Sequence, residues 1–509
     1  MQREPLHVQF VRIAKQHPHK AAFVDRGLQR RYTYRRALAA SLVLADTLKG
    51  IDDSLVGVML PTSAGAAIVV LALLMSGKIP VLLNYSTGVT RNVEYARQKC
   101  GFAAVITAQG FLAKLDAPEL DGFVYIEHLL RGMSVIDKGR AALRAGLSAE
   151  RILSRYPEAD IDATAAILFT TGTEGEPKAV PLTHRNIIAN LEALSQIYPF
   201  RRDDVMLATL PFFHVFGLAI NLWLPLRFGM TIVTYVNPTD YKTICTIIRE
   251  DGPTYLVGTP SFLQGYLHHS QPGDFKSLQL IVTGADKCPE VLRGAYLAKH
   301  GVTVYEGYGT TETSPIISVN TPDRYRHGSA GWVLPNLALR IVQRNADREC
   351  AIGETGRILV RGESVFGGYL NDRESTGRSL RGGWFDTGDM GYIDADGFLW
   401  HVGRLQRCVK VGGEMVSLIH VEEVLNNLLP MGASCCVVGS PDATKGTRIV
   451  AAVTRPIDER RMYREMARHL PTIALPKRFV VLEDLPRMAS GKMDVQRITE
   501  RVRELMKTH

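Results

Sequence analysis

A short segment between residues 170 and 178 carries residue types that suit phosphate binding. It reads Thr170-Thr171-Gly172-Thr173-Glu174-Gly175-Glu176-Pro177-Lys178 and directly follows an apolar run. Hydroxyl groups and backbone N–H groups in a loop after a strand can surround a phosphate, and Lys178 adds a positive charge. The segment lacks the GxxxxGK[ST] pattern of P-loops. Taken alone, it is compatible with a phosphate-binding loop and with a flexible turn.

Two further polar segments combine aromatic rings, hydroxyl groups and carboxylates. The first reads Tyr305-Glu306-Gly307-Tyr308-Gly309-Thr310-Thr311-Glu312-Thr313. Tyr308 could stack on an aromatic base, and a carboxylate beside phosphate-binding hydroxyls suits Mg²⁺, which prefers oxygen ligands. The second reads Trp384-Phe385-Asp386-Thr387-Gly388-Asp389, and Asp389 could accept hydrogen bonds from a ribose diol. Each segment alone is also compatible with an ordinary polar turn.

The last fifth of the chain contains two glycine-containing basic segments. The first is Gly403-Arg404-Leu405-Gln406-Arg407, followed by Lys410-Val411-Gly412-Gly413-Glu414-Met415-Val416-Ser417. The second is Pro486-Arg487-Met488-Ala489-Ser490-Gly491-Lys492-Met493-Asp494. Lys492 follows a glycine, on a loop that could enter the cleft of another domain.

The residues between these segments predict the scaffold that must position them. Short apolar, β-branched runs alternate with longer amphipathic stretches. Such runs are typical of parallel sheets covered on both faces, and the stretches between them are long enough for crossover helices. The runs are Leu55 to Leu60, Ala103 to Thr107, Ala165 to Thr170, Thr231 to Tyr235 and Leu280 to Thr283. We therefore predict an α/β fold of layered sheets.

Two changes of character along the chain predict its domain organisation. From about Gly331, turn signals become denser, which indicates a small β-rich section. After Gly403-Arg404 a compact α+β unit begins. We expect a large domain over residues 1–403 and a small one over residues 404–509.

Composition and charge limit the function classes. The 509 residues are 46% hydrophobic and 22% charged, as in ordinary globular proteins. Seven scattered cysteines without metal-ligand spacing indicate free thiols in a reducing compartment. The first ten residues have no apolar core of a signal peptide, and Ala66 to Met75 is shorter than the roughly 20 residues that span a bilayer. We therefore expect a cytoplasmic protein in which this run forms a buried helix.

The net charge of +9 is concentrated in the last fifth of the chain, which carries +6 from Arg404 onward. This excess could attract an acidic protein, anionic lipid or a phosphorylated ligand. A plain solvated surface is the alternative. We expect no nucleic-acid partner because no nucleic-acid motif accompanies the charge.

Together, in this order and spacing, the segments resemble the adenylate-forming superfamily. It includes acyl-CoA synthetases, the adenylation domains of nonribosomal peptide synthetases and firefly luciferase. The resemblance spans the chain from about residue 7 to about residue 500. It implies that the large domain holds ATP, Mg²⁺ and the acyl pocket. The small domain would be mobile and carry a catalytic lysine and a face for the thiol acceptor.

The resemblance also implies roles for single residues. Lys492, Thr311 and Glu312 would be catalytic, with Glu312 as the metal ligand. Gln406 would be the hinge, and Gly412 and Gly413 would line a thiol tunnel. The nucleotide would contact Thr170, Thr171, Gly172, Thr173, Glu174, Gly175, Lys178, Gly284, Ala285, Asp286, Tyr308, Gly309, Thr310, Asp389 and Arg404.

The segment Pro211-Phe212-Phe213-His214-Val215-Phe216-Gly217 resembles the acyl-activating version of its motif. It lacks the aspartate with which amino-acid activators pair the substrate ammonium, and a buried ammonium without a partner is costly. An alkyl or aryl acid is therefore favoured. The residues expected in its pocket are His214, Phe216, Gly217, Asn221 and Gly258. An ordinary apolar core is the alternative for the residues up to Trp223.

Two finer features bear on the thiol acceptor. Thr173-Glu174-Gly175 and the stretch from Gly403 to Leu418 are similar to the synthetase part of bacterial acyl-acyl carrier protein synthetase/2-acylglycerophosphoethanolamine acyltransferase. This similarity implies a fatty acid as substrate and acyl carrier protein as acceptor. Coenzyme A remains the alternative acceptor, and an inactive adenylate-binding module is a third hypothesis. A weak peripheral contact with the inner face of the membrane also stays open.

Overall fold

The structure is a computed structural model, and it describes residues 3–86, 88–170, 177–344, 346, 348–404, 407–411, 414–430, 432–442, 446–488 and 491–507. It confirms the predicted α/β fold, with a large N-terminal domain of layered sheets and helices and a smaller C-terminal domain. All five apolar runs named above contain strands.

The first half of the N-terminal domain supplies a six-stranded sheet. Its elements, in chain order, are α1 (Leu6–Gln16), β1 (Ala21–Asp25), β2 (Arg30–Thr33), α2 (Tyr34–Leu48), β3 (Leu55–Val58), α3 (Ala64–Met75), β4 (Ile79–Leu82), α4 (Val89–Cys100), β5 (Val105–Thr107), α5 (Gln109–Leu115), β6 (Phe123–Tyr125), α6 (Ile126–Gly132), α7 (Val135–Arg144), α8 (Ala149–Leu153), β7 (Thr164–Phe169), β8 (Ala179–Thr183) and α9 (His184–Ile197). The strand order is β6-β5-β3-β4-β7-β8. Only the β7–β8 pair is antiparallel.

The part of the domain from β9 to β15 completes a nine-stranded sheet, to which β1 and β2 also belong. Its further elements are β9 (Val205–Ala208), α10 (Leu224–Phe228), β10 (Thr231–Thr234), α11 (Tyr241–Asp251), β11 (Tyr255–Gly258), α12 (Pro260–His269), β12 (Leu280–Thr283), α13 (Glu290–His300), β13 (Val304–Gly309), β14 (Ile316–Val319) and β15 (Trp332–Val333). The strand order is β15-β14-β13-β12-β11-β9-β10-β1-β2. A π-helical turn over Gly217–Trp223 precedes α10.

The predicted β-rich section is a small sheet of antiparallel strands. Its elements are β16 (Leu337–Val342), β17 (Gly356–Gly362), α14 (Arg373–Ser379), β18 (Leu380–Arg381), β19 (Trp384–Ile393) and β20 (Leu399–Arg404). The C-terminal domain follows with β21 (Cys408–Val411), β22 (Glu414–Ser417), α15 (Leu418–Leu428), β23 (Cys435–Asp442), β24 (Gly446–Val453), α16 (Glu459–Met466), β25 (Arg478–Val481) and α17 (Val495–Lys507). Its strands form a two-stranded and a three-stranded sheet.

The most apolar run of the sequence forms α3, as predicted. Every residue of α3 except Gly65 is buried, and Ser63 caps its first turn by accepting from the backbone N–H of Ala66. A helix that is apolar on all sides must be covered on all sides, and α3 packs against α2 and the strands beside it. Among the residues with assigned positions, every helix is too short or too polar to cross a bilayer.

Candidate active site

A cavity of about 610 Å³ lies where strand ends of both large sheets meet the small sheet and the C-terminal domain. The predicted site residues that line it are Thr170, Lys178, His214, Phe216, Gly217, Gly284, Ala285, Tyr308, Gly309, Thr310, Thr311, Glu312, Arg404 and Lys492. Residues more than 300 positions apart in the sequence thus share one chamber. The predicted residues Thr171, Gly172, Thr173, Glu174, Gly175, Gln406, Gly412 and Gly413 lie outside the described residues.

Four predicted residues are not part of the cavity lining. Asn221 is buried, and its Oδ1 accepts from the backbone N–H of Leu210, so it supports the wall. Gly258 lies behind Gly284, whose N–H donates to its carbonyl. Asp286 is exposed, and Asp389 is buried behind Tyr308.

The described ends of the predicted phosphate loop are held together by two hydrogen bonds. The N–H of Thr170 donates to the carbonyl of Lys178, and the N–H of Lys178 donates to Oγ1 of Thr170, at 3.0 Å each. These bonds continue the β7–β8 hairpin. The Lys178 ammonium lies 4.8 Å from the centre of the Tyr369 ring, a cation–π contact that directs its charge toward the cavity.

The turn after β13 presents Thr311 and Glu312 to the cavity. Gly309 is required there, because a Cβ would lie 1.9 Å from the carbonyl oxygen of Pro315. Thr311–Thr313 forms a short 3₁₀ turn. The Glu312 carboxylate accepts from the hydroxyl of Tyr369 at 2.7 Å, which fixes one oxygen and leaves the group beside Thr310 and Thr311 in the cavity lining.

Asp389 forms the centre of a polar cluster at the edge of the cavity. It is the register partner of Arg404 on the adjacent antiparallel strand, and Nε of Arg404 lies 3.4 Å from its Oδ1. The hydroxyl of Tyr308 donates to Oδ2 at 2.6 Å. Burial opposes ionisation of Asp389, but His401, Arg404 and Tyr308 outweigh it and hold its pKa below the usual value.

Lys492 reaches the cavity from the C-terminal domain through a docked turn. The turn is closed by hydrogen bonds between the backbones of Met488, Gly491 and Lys492, and Oγ of Ser261 in α12 donates to the carbonyl of Gly491 at 2.8 Å. Burial lowers the pKa of the Lys492 ammonium, and Arg404 lowers it further, while Asp286, Asp389 and Glu312 act in the opposite direction. A cation is thus held near several carboxylates at the cavity wall.

A second contact also ties the two domains together. The Lys287 ammonium of the N-terminal domain forms an ion pair with Glu423 in α15. His420, one turn earlier in α15, lies 3.5 Å from the other oxygen of Glu423. This ion pair and the Gly491 turn hold the C-terminal domain in the orientation that places Lys492 in the cavity.

One side of the cavity is apolar. It is lined by Leu210, Pro211, Val215, Phe216, Gly217, Val282 and Ile316. His214 lies at the boundary between this side and Lys492. Burial lowers the pKa of His214 to about 3, with repulsion from Lys492 as a smaller cause, so the ring is neutral at pH 7. Each of the lining carboxylates already has a partner in the protein: Tyr369 for Glu312, the first turn of α14 for Asp372 and Arg357 for Asp386.

Several residues that shape the site were not found from the sequence. Tyr369 holds Glu312 and contacts Lys178, and the His401 ring lies 4.9 Å from that of Tyr308. The side chains of Thr259 and Ser261 contact the turn at Gly491. Tyr369 directly follows Gly367 and Gly368, a glycine pair that could have drawn attention to it, whereas no comparable pattern marks the other three residues.

The carboxylate oxygens at the cavity fit a nucleotide with a bound cation. Oδ1 of Asp389 has charge contacts with Nε of Arg404 at 3.4 Å and Nε2 of His401 at 3.6 Å but accepts no well-aligned hydrogen bond among the described residues, which leaves it able to accept from a ribose hydroxyl. For Mg²⁺, the described residues contain no cluster of three His, Cys, Asp or Glu side chains. Mg²⁺ is typically held by one or two carboxylates together with substrate phosphates, and Glu312 meets that requirement.

Comparisons with known proteins agree with this geometry. The family described as "AMP-binding enzyme" matches residues 10–370, and "AMP-binding enzyme C-terminal domain" matches residues 420–492. An indoleacetate–CoA ligase of Aromatoleum aromaticum is 34% identical over 68% of this chain and 69% of its own length. A long-chain-fatty-acid–CoA ligase of Salmonella typhimurium is 28% identical over 95% of this chain and 92% of its own.

Among solved structures, ATP-bound MatB from Rhodopseudomonas palustris is 26% identical and superposes with a TM-score of 0.84 over 98% of this chain and 99% of its own. The apo form of MatB superposes over the same fractions of the two chains, but with a TM-score of 0.74. The overall arrangement of this chain is therefore closer to the ATP-bound form. The chain belongs to the AMP-binding enzyme family and is an acid–thiol ligase, whose relatives in this family form acyl-adenylates from ATP.

Proposed function

We propose that this protein activates a fatty acid with ATP and Mg²⁺ and passes the acyl group to the phosphopantetheine thiol of acyl carrier protein. The observation that carries the proposal is the position of Lys492. It lines the same cavity as the nucleotide-side residues Tyr308 and Glu312 and as the apolar side that begins at His214. An acid, a nucleotide and a catalytic cation would therefore meet in one chamber.

In the first step, an oxygen of the fatty acid carboxylate attacks the α-phosphorus of ATP, and the bond to pyrophosphate breaks. Negative charge builds on the oxygens around phosphorus, where a fixed cation lowers the barrier. Lys492 would supply that cation. Mg²⁺ bound through Glu312 would neutralise phosphate charge.

The other residues of the site would bind and orient. Asp389 would accept from the ribose hydroxyls, since Arg404 and His401 keep it ionised and its Oδ1 has no well-aligned hydrogen bond among the described residues. Lys178, which lines the cavity beside Tyr369, would contribute its charge to the outer phosphates. Neutral His214 would separate the phosphate side from the acyl side without adding charge.

The apolar side of the cavity supports an acid without an ammonium group. The described cavity lining contains three carboxylates, Glu312, Asp372 and Asp386, and each already has a hydrogen-bond partner in the protein. A buried, unpaired ammonium would be costly there, whereas an alkyl chain would gain from burial. A curated relative over nearly the whole chain is named a long-chain-fatty-acid–CoA ligase, which agrees with this class of acid.

In the second step, the thiol sulfur attacks the acyl carbonyl carbon and AMP leaves. Acyl carrier protein and coenzyme A present the same phosphopantetheine thiol. The similarity of Gly403 to Leu418 to carrier-protein synthetases supports the carrier. The names of the curated relatives support coenzyme A as a second candidate. This proposal includes three further roles: a domain boundary between residues 403 and 404, a hinge at Gln406, and a thiol tunnel lined by Gly412 and Gly413.

A competition between the two acceptors tests the proposal. The chain receives ATP, Mg²⁺, labelled fatty acids of several lengths, and equal amounts of coenzyme A and holo-acyl carrier protein. Apo-carrier without its thiol is the matched control. Label on the holo-carrier is the expected result. Label on coenzyme A alone would show that coenzyme A is the acceptor, and the proposed adenylation step would still stand. If no fatty acid supports exchange of pyrophosphate into ATP, the choice of acid is wrong.

A further inference from the structure

The helix α7 (Val135–Arg144) turns apolar side chains toward solvent. The side chains of Val135, Ile136 and Leu143 are 85%, 64% and 77% exposed. Leu130 in the adjacent α6 is 49% exposed. Four of the eleven large apolar residues that are exposed among the described residues thus fall between positions 130 and 143. Such clustering marks an interaction surface, whereas scattered exposed apolar residues are ordinary.

Helix geometry places these side chains on one stripe. Val135, Gly139 and Leu143 are four residues apart, and Ile136 is seven residues from Leu143, so all four share one face. Ala141, on the opposite face, is the fully buried residue of the helix. The helix therefore has the usual amphipathic pattern with its more apolar stripe pointing outward. We call this stripe, with Leu130, the α7 surface.

Cations flank the α7 surface on both sides. Lys138 and Arg140 are exposed and lie to either side of the stripe, and Arg131 is exposed at the end of α6. The two carboxylates of the same segment are less exposed than these cations, and Asp137 lies near Arg140. Asp137 accepts from Ser134 in a capping box, and Glu127 is half-buried. The outward face therefore combines an apolar centre with a positive rim.

We propose that the α7 surface docks onto an anionic lipid bilayer, with the apolar stripe in the interface and Lys138 and Arg140 at the headgroups. An apolar face bordered by basic residues is the pattern of helices that lie in a membrane interface. The helix lies on the bilayer and does not span it. A second copy of the chain fits less well, because a two-fold contact would bring the same cations together.

The proposal goes beyond catalysis and is testable without it. Binding of the full chain to sedimentable vesicles of phosphatidylcholine with phosphatidylglycerol is compared with binding to phosphatidylcholine alone, at low and high salt. One variant is Val135→Ala/Ile136→Ala/Leu143→Ala, which shortens the stripe while keeping good helix formers. A second is Lys138→Gln/Arg140→Gln. The matched control is Leu297→Ala/Ile352→Ala, two apolar residues that are 58% and 73% exposed elsewhere.

We expect the native chain to bind the anionic vesicles and to be released by salt. The triple alanine variant should bind about tenfold more weakly or worse, and the double glutamine variant about tenfold more weakly on anionic vesicles only. The control should bind like the native chain. Absence of binding at low salt would overturn the proposal, as would equal binding by all variants. A dimer in sedimentation velocity that the triple variant abolishes would assign the surface to a second copy instead.

Discussion

The docked turn at Gly491 permits a test of how Lys492 is positioned without altering the lysine itself. Gly491 has φ +80°, and a Cβ at this position would lie 2.4 Å from Oγ1 of Thr259 and 2.5 Å from Oγ of Ser261. Both distances are far below van der Waals contact. Gly491→Ala should therefore push the turn away from α12 and withdraw Lys492 from the cavity.

The magnitude follows from three contributions. A left-handed conformation costs a residue other than glycine about 1–2 kcal/mol, whether or not the turn is docked. The other two contributions affect only the docked orientation. Loss of the Ser261 hydrogen bond costs about 1 kcal/mol, and overpacking costs about 1–3 kcal/mol. The docking loss of about 2–4 kcal/mol corresponds to roughly a 30-fold to 1000-fold smaller docked population. We expect adenylation to fall at least about tenfold.

Two assays and one control variant separate docking from folding. Adenylation is followed as fatty-acid-dependent exchange of pyrophosphate into ATP, and transfer as thioester formation from supplied acyl-adenylate. The control is Gly432→Ala in the same domain, where φ is +83° and the nearest group is the side-chain end of Arg455 at 3.6 Å. Equal losses in the two variants would assign the effect to backbone strain. Unchanged adenylation in Gly491→Ala would refute the docking argument.

Four further predictions concern the same site. Lys492→Ala should slow adenylation by about 10²–10³-fold and leave transfer from supplied acyl-adenylate largely intact; equal loss of both steps would contradict the assigned role. Because burial lowers the pKa of Lys492, adenylation by the native chain should decline with rising pH below 10.5, and Lys492→Arg should lose that decline, which a pH profile of the exchange reaction measures. Lys287→Glu and Glu423→Lys should each slow adenylation several-fold, and the double swap should restore it; a double-mutant cycle without coupling would exclude the ion pair as a positioning contact. Asp389→Asn should raise the KM for ATP about tenfold or more with a smaller change in kcat, and an unchanged KM would remove Asp389 from the ribose site.

The strands and the buried helix α3 were predictable because their signal is local. Each apolar run, such as Leu280 to Thr283, is long enough to form a strand and apolar enough to require burial. The run from Ala66 to Met75 is apolar on all sides, which restricts it to the interior. The polar segments that bear Tyr308 and Lys178 were also visible in the sequence, since their residue types are unusual at that spacing. What these strands and segments share is that a window of about ten residues contains the information.

The tertiary structure decided what those segments contact. Asp389 meets Arg404 only because two antiparallel strands pair in one register, and a shift of one residue would turn the side chains apart. Tyr369 reaches Glu312 across 57 positions of sequence. The outward stripe of α7 has the same residue pattern as an inward one, and only packing shows which face is covered. The sequence by itself determined which elements and chemical groups exist; contacts between distant residues, set by register, packing and domain docking, decided where those groups meet.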